Sequence, residues 1–176
     1  MSVAEHPLQR VPEEPASARP TELGLGAWRT LLRAHDQVVR RLEVELLAEH
    51  DLPLASYDVL LQLAESPDRR LRMTELADRV LLSRSGLTRL IDRLERDGLV
   101  ARASCPGDAR GTHAVLTDAG LQRLRSAAPT HLRGISQHMT SKLSAAELAT
   151  LTVLLGRLLT DRPAPAGGCG AAEGLA

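Results

Sequence analysis

Aromatic side chains are nearly absent from this sequence of 176 residues, which contains one Trp, one Tyr and no Phe. Modules that bind RNA or single-stranded DNA usually stack bases on such rings, so the scarcity argues against those classes. Apolar residues nevertheless make up 43 % of the chain, which is enough for a buried core. That core must be packed mainly with Leu, Val, Ile and Ala.

Cysteine is scarce as well, and long apolar runs are missing. The two cysteines, Cys105 and Cys169, do not form a metal-ligand spacing. No apolar run approaches the roughly 20 residues of a membrane span, and the first ten residues lack the apolar stretch of a signal peptide. We therefore expect a soluble, cytoplasmic protein without contact to a membrane.

Sequence signatures of enzymes are also missing. We find no glycine-rich phosphate loop, nucleophile elbow, metal triad or clustered carboxylates. The sequence therefore predicts a protein that is not an enzyme, with no catalytic residues, no cofactor and no bound metal.

Positive charge is concentrated in the middle of the chain. Basic and acidic residues balance at 22 each overall. Residues 69–110, however, contain ten arginines and six acidic residues, an excess of four positive charges. A basic segment between acidic flanks is the pattern that a DNA-binding segment leaves.

Apolar periodicity predicts six helices and two short strands. We expect helices at about 22–50, 57–64, 74–80 and 83–97 and after Thr117 and Ser144, and strands at 99–104 and 112–117. Thr74, Ser83 and Thr117 are expected to be N-caps, and Ser144 with Glu147 a capping box. Pro129 should kink the fifth helix or end it early.

These elements define a mainly α fold with a small β-hairpin, a winged helix-turn-helix dimerised by its N- and C-terminal helices. The predicted segments are a disordered arm (1–20), a dimerisation helix (21–52), a DNA-binding domain (53–117), C-terminal dimerisation helices (118–160) and a disordered tail (161–176). The first, fifth and sixth helices carry long apolar stripes that a second copy of the chain could cover. The alternative is that the stripes pack on one another within one chain.

The predicted fourth helix has the pattern of a recognition helix. Its apolar residues fall on one face, and small polar residues and arginines lie on the other. Ser and Thr allow a helix to enter a major groove, arginine reaches guanine edges, and the first turn of a helix favours a phosphate. The candidate DNA-binding residues are Ser83, Arg84, Ser85, Gly86, Thr88, Arg89 and Arg93. The alternative interpretation is an ordinary solvated helix face.

The hairpin that follows has the pattern of a wing. Its turn, Cys105-Pro-Gly-Asp-Ala-Arg-Gly111, carries one arginine, Arg110, on a slim loop suited to a narrow minor groove. Asp108 could hold that arginine in an ion pair, and we add Asp108, Arg110 and Gly111 to the DNA-binding candidates. Cys105 lies in the same turn, so a redox-responsive wing is one alternative.

The run from about residue 28 to residue 160 resembles the MarR family of bacterial transcription regulators. The resemblance lies in LSRSGLTRLIDRLERDGLV, the wing GDARG, and AVLTDAG at the start of the fifth helix. It implies a homodimer on double-stranded DNA, with helix 83–97 in the major groove and Arg110 in the minor groove. Members of the family commonly act as repressors and release DNA when a small, often phenolic, anion binds.

The same resemblance implies an effector cleft. Four residues lie on helices that the family places around such a cleft and are candidates to contact a small aromatic or anionic effector: Trp28, His35, Tyr57 and His131. The alternative is that all four are core residues. For the protein as a whole, the alternative is a winged-helix module for protein association without DNA binding. We expect the operator to be pseudo-palindromic, with half-sites about one helical turn apart.

Overall fold

The computed structural model describes the backbone of residues 19–80, 82–105 and 108–159, and the side chains of these residues other than 105 and 108–111. Six helices follow one another in this part of the chain: α1 (Glu22–His50), α2 (Leu54–Ala64), α3 (Met73–Arg79), α4 (Arg84–Arg96), α5 (Asp118–His138) and α6 (Ala145–Gly156). Three strands form one antiparallel sheet: β1 (Arg70–Arg72), β2 (Val100–Cys105) and β3 (Asp108–Leu116). The predicted class, mainly α with a small β-hairpin, is confirmed. Most of the predicted arm and tail lies outside the described residues.

The chain divides within α1, between Asp36 and Gln37, into two compact units. The first unit holds the N-terminal part of α1, where Leu23, Trp28 and Leu32 are exposed to solvent. The second unit holds the rest of α1, all other elements and the buried core. The core lies where the C-terminal part of α1, helices α2 to α5 and the sheet meet.

The C-terminal end of α1 is closed by its own backbone. Asp51 adopts a left-handed conformation with φ of 47°, and the amide of Leu52 donates to the carbonyl of Leu46 at 3.4 Å. The amide of Asp51 itself donates to the carbonyl of Leu47 at 3.0 Å, which is the single-bond αL cap that commonly ends helices. The guanidinium of Arg123 on α5 also donates to the carbonyl of His50, so a second element stabilises the same helix end.

Two helices begin earlier than the sequence predicts. Helix α2 starts at Leu54 rather than at residue 57, because the carboxylate of Glu43 on α1 accepts a hydrogen bond from the Leu54 amide at 2.5 Å. Helix α3 starts at Met73, and its N-cap is Arg72 without a side-chain cap bond, so the prediction of Thr74 as the cap is wrong. Strand β1, which was not predicted, pairs Arg72 with His113 and brings the backbone straight into α3.

The other predicted caps are confirmed. The hydroxyl of Ser83 accepts from the Gly86 amide at 3.1 Å, and that of Thr117 accepts from the Gly120 amide at 3.0 Å. Ser144 and Glu147 form the predicted capping box at the start of α6. These signals are local in sequence, and this explains why they were readable.

Helix α5 does not end early at Pro129 but continues to His138. Contacts with α1 lie on both sides of the proline and stabilise the helix there. Before the proline, Arg123 donates to the end of α1, and after it the His138 ring and the Glu45 carboxylate are 2.6 Å apart. The lost backbone hydrogen bond is thus offset by tertiary contacts.

Candidate nucleic-acid interface

Helix α4 separates a buried face from an exposed one. Leu87, Leu90, Ile91 and Leu94 are buried in the core, as their three- and four-residue spacing predicted. The opposite face is open to solvent and carries the polar candidates. Of the candidate residues at the cap and on the helix, Gly86 is half-buried and the others are exposed: Ser83, Arg84, Ser85, Thr88, Arg89 and Arg93. The sequence-predicted residues of α4 therefore share one accessible surface.

The first turn of α4 is ordered by short hydroxyl side chains. Beyond its cap bond, the Ser83 hydroxyl lies 3.3 Å from the hydroxyl of Ser85. The hydroxyl of Thr88 donates to the carbonyl of Arg84 at 2.9 Å. A Cβ at Gly86 would stand 3.1 Å from the Ser83 hydroxyl, so glycine leaves the cap undisturbed. This turn presents small groups and a positive helix terminus to solvent, as a phosphate site requires.

Three arginines of α4 are available to an external partner. Within the described part of the chain, the guanidinium groups of Arg84, Arg89 and Arg93 form no hydrogen bond or ion pair. Arg96, by contrast, donates from Nε to the Asp92 carbonyl of its own helix at 3.2 Å. Unpaired guanidinium groups on one surface are suited to phosphates and guanine edges.

The two acidic residues of α4 are paired with an arginine of the hairpin. Arg102 on β2 reaches the carboxylates of Asp92 and Glu95, the former at 2.5 Å. The hydrogen bond that Arg102 donates to Asp92, followed by the one that it donates to Glu95, raises the pKa of the Arg102 guanidinium above its ordinary value. The sequence analysis did not identify Arg102 as a partner of α4. No local pattern pointed to it, because the contact depends on how β2 packs against α4.

The hairpin has the form of a wing. Strands β2 and β3 pair in antiparallel register from Val100 with Leu116 to Ser104 with Thr112, and the register shifts beyond Ser104. The side chains of Asp108, Arg110 and Gly111, and of Cys105, lie outside the described residues. Their predicted roles, in DNA binding and in redox response, therefore stay predictions.

Two of the four effector candidates are in contact with each other. The rings of Tyr57 on α2 and His131 on α5 are 4.2 Å apart between centroids and tilted by 35°. Tyr57 is only 3 % exposed, and burial raises its pKa and lowers that of His131. Trp28 and His35 belong to the first unit, where both are exposed. The pair on α2 and α5 fits a core contact as well as a ligand site.

A cleft of about 460 Å³ opens between the end of α1 and the C-terminal part of α4. None of the four effector candidates lines it. Its lining residues are Asp51, Leu52, Pro53, Ser56, Arg93, Leu94, Asp97, Leu99 and Arg123. Arg93 and Arg123 are the cations of this cleft, and Asp51 and Asp97 are its acids.

The described segments contain no group of three or more His, Cys, Asp or Glu side chains that could hold a metal ion. None of the helices there combines the length and the apolar character needed to cross a membrane.

Comparison with known proteins gives consistent results. A sequence profile of the MarR family matches residues 50–111. The chain is 30 % identical over 138 residues to the HTH-type transcriptional regulator MhqR of Bacillus subtilis. This alignment covers 78 % of this chain and 92 % of MhqR. It is 36 % identical over 92 residues to the HTH-type transcriptional repressor YetL of the same species, which covers 52 % of this chain and 55 % of YetL.

A solved structure has the same fold. Sco3205, a MarR family transcriptional regulator from Streptomyces coelicolor whose crystal structure is in complex with DNA, matches with a TM-score of 0.74. The identity is 36 %, and the match covers 80 % of this chain and 91 % of that chain. The winged-helix architecture predicted from the sequence is thereby confirmed.

Proposed function

Because the chain belongs to the MarR family of transcriptional regulators, we propose that it binds double-stranded DNA as a homodimer and represses transcription. In this proposal the protein acts in the cytoplasm. Helix α4, with its cap Ser83, lies in the major groove of each half-site of a pseudo-palindromic operator. The observation that carries the proposal is the exposed face of α4, where the guanidinium groups of Arg84, Arg89 and Arg93 have no partner among the described residues. The DNA complex of the similar Sco3205 supports it.

Individual roles follow from position on α4. Ser83, Arg84 and Ser85 at the helix start contact phosphate, where the helix terminus adds positive potential. Thr88 and Arg89 lie further along the exposed face and read base edges, and Gly86 permits close approach. Arg93 contacts the backbone. In the wing, Arg110 enters the minor groove, and Asp108 and Gly111 support its loop.

Dimerisation is supported by apolar side chains that the single chain leaves exposed. They are Leu23, Trp28, Leu32, Val44 and Leu47 on α1, Leu132 on α5, and Val153, Leu154, Leu158 and Leu159 on or after α6. Helix α6 has no buried residue at all. A second copy of the chain would cover these surfaces and place two recognition helices about one DNA turn apart.

We further propose that the bound dimer represses transcription and that a small effector ends the repression. A dimer in the major groove of a promoter excludes other proteins, and the similar YetL is named a repressor. A small aromatic or anionic effector releases the DNA, with Trp28, His35, Tyr57 and His131 as its candidate contacts. The cleft beside α4 is a second candidate site for the effector, because Arg93 and Arg123 could bind an anion there.

The test is duplex binding by purified protein across a salt series. Genomic fragments that include the upstream DNA of its own gene are compared with scrambled duplex. The variant Arg89→Ala is compared with Arg125→Ala, which removes an exposed arginine from α5 instead. We expect sequence-selective binding by one dimer per site. Arg89→Ala should cost about 1–3 kcal/mol and relax specificity at one position per half-site, while Arg125→Ala has little effect.

Other outcomes decide against parts of the proposal. Equal loss on all sequences in Arg89→Ala would assign this arginine to the phosphate backbone. Absence of binding to any duplex at low salt would refute the DNA proposal and favour the protein-association module.

A further inference from the structure

Three hydrogen bonds join β2 to α4 through one residue of the hairpin. The backbone amide of Arg102 donates to Oε1 of Glu95 at 3.2 Å. Its guanidinium donates to Oε2 of Glu95 and, with its other terminal nitrogen, to Oδ1 of Asp92 at 2.5 Å. Both carboxylates of α4 and one main-chain amide of β2 are thus engaged in a single contact.

The contact is partly shielded from solvent and has a defined orientation. The Arg102 side chain is 28 % exposed, against 50 % for Asp92 and 39 % for Glu95. A planar guanidinium that bridges two carboxylates is held in one orientation, which a lysine ammonium would not be. Such a contact fixes the direction of the strand that carries it.

We propose that Arg102 is a positioning residue, which orients the wing relative to the recognition helix by clamping β2 to Asp92 and Glu95. The proposal rests on the proposed function, since the wing and the helix matter together only on DNA. We assign Arg102 no DNA contact, because both of its terminal guanidinium nitrogens donate to carboxylates of α4. Strand β2 runs from this clamp directly toward the wing turn.

A simpler explanation is charge neutralisation. Asp92 and Glu95 lie on or beside the exposed face of α4, where uncompensated carboxylates would repel phosphate. In that case Arg102 only cancels their charge, and removing the acids would serve equally well. The two explanations predict opposite signs for the same variants.

The deciding experiment is duplex binding by Asp92→Asn/Glu95→Gln and by the triple variant that adds Arg102→Gln. The clamp sums to one negative charge in the native chain, and the triple variant is uncharged at these positions. Positioning predicts that both variants bind the operator roughly tenfold more weakly despite losing negative charge. Neutralisation predicts native or tighter binding, and that result would overturn the proposal. Asp97→Asn, at the end of the same helix, is the matched control for loss of a carboxylate.

A second readout needs no DNA and also separates clamping from loss of folding. Amide hydrogen exchange is measured on the free full-length protein, under conditions where thermal unfolding confirms that every variant is folded. We expect the amides of residues 100–104 and 112–116 to exchange severalfold faster in the triple variant, while those of α1 keep their native rates. Unchanged exchange in the hairpin would refute the clamp. Failure of the native protein to select any duplex would instead refute the proposed function, and the exchange data would still decide the clamp.

Discussion

Thr130 on α5 organises a small polar cluster against the end of α1. Its hydroxyl donates to the Glu49 carboxylate at 2.7 Å, which uses the only hydrogen that the hydroxyl has. The ring of His50, 2.9 Å away at Nε2, must therefore be the donor to Thr130. Arg133 donates to the same carboxylate, and it is the first cause, ahead of Thr130, of the lowered pKa of Glu49. Each group in this cluster has a fixed role.

Asp58 on α2 is the opposite case, a half-buried carboxylate whose pKa is raised. Burial is the main cause, and the nearby Glu43 carboxylate adds to it. A raised folded-state pKa means that the folded protein disfavours the charged form. The resulting cost is absent below the ordinary pKa of 3.8, grows as the pH rises from there to the higher folded-state pKa, and is fully present above it.

We therefore predict that Asp58→Asn raises the melting temperature at about pH 7 and has a smaller effect at about pH 4. Thermal unfolding followed by circular dichroism at both pH values measures this. Asp97→Asn removes an exposed carboxylate and serves as the control. A lower melting temperature of Asp58→Asn at neutral pH would contradict the prediction.

Residues whose partners are close in sequence were predictable, and residues with distant partners were not. Ser83, Thr117 and Ser144 bond within three residues of themselves, so their cap patterns are visible in the sequence. Arg123 binds carbonyls 72 and 73 residues away, which no local pattern reveals. The division of α4 into a buried and an exposed face was predictable from periodicity. The clamp at Arg102 depends on the packing of a strand against a helix, and so it was not.

At the scale of elements, two glycines determine how α5 is seated. A Cβ at Gly120 would lie 2.1 Å from the carbonyl oxygen of Leu99 and 2.7 Å from a methyl of Leu116. A Cβ at Gly134 would lie 2.6 Å from a methyl of Leu42 and 2.7 Å from the Glu45 carboxylate. The first neighbour is backbone that cannot move aside, whereas the second pair are ends of side chains that can rotate.

The two positions should consequently respond differently to the same substitution. Gly120→Ala is expected to destabilise the protein by roughly 2–4 kcal/mol, because the start of α5 must shift away from the turn between α4 and β2. Gly134→Ala should cost less than about 1 kcal/mol, since better helix propensity offsets side-chain rearrangement. Urea unfolding of both variants measures the difference. Equal effects at the two sites would show that the close approach at Leu99 is not rigid.

The exposed apolar surfaces matter at the scale of the whole molecule. We predict that Leu154→Asp converts the proposed dimer to a monomer and weakens operator binding by more than tenfold, because an aspartate would have to be buried in the interface. Thr150→Asp places the same charge at an exposed position of the same helix and should leave a dimer. Light scattering coupled to size-exclusion chromatography reports the mass. If Leu154→Asp remained dimeric, α6 would not belong to the interface.

The seating of α5 also sets a length. Gly120 and Gly134 are 14 residues apart, which corresponds to about 21 Å of helix. Helix α5 is thus a spacer of fixed length, which packs at one end beside the segment proposed to read DNA and at the other end against α1. A spacer of fixed length cannot extend when the two half-sites of the operator are moved apart. One inserted base pair, which turns the half-sites by about 34° relative to each other, should therefore be read as a different and poorer operator.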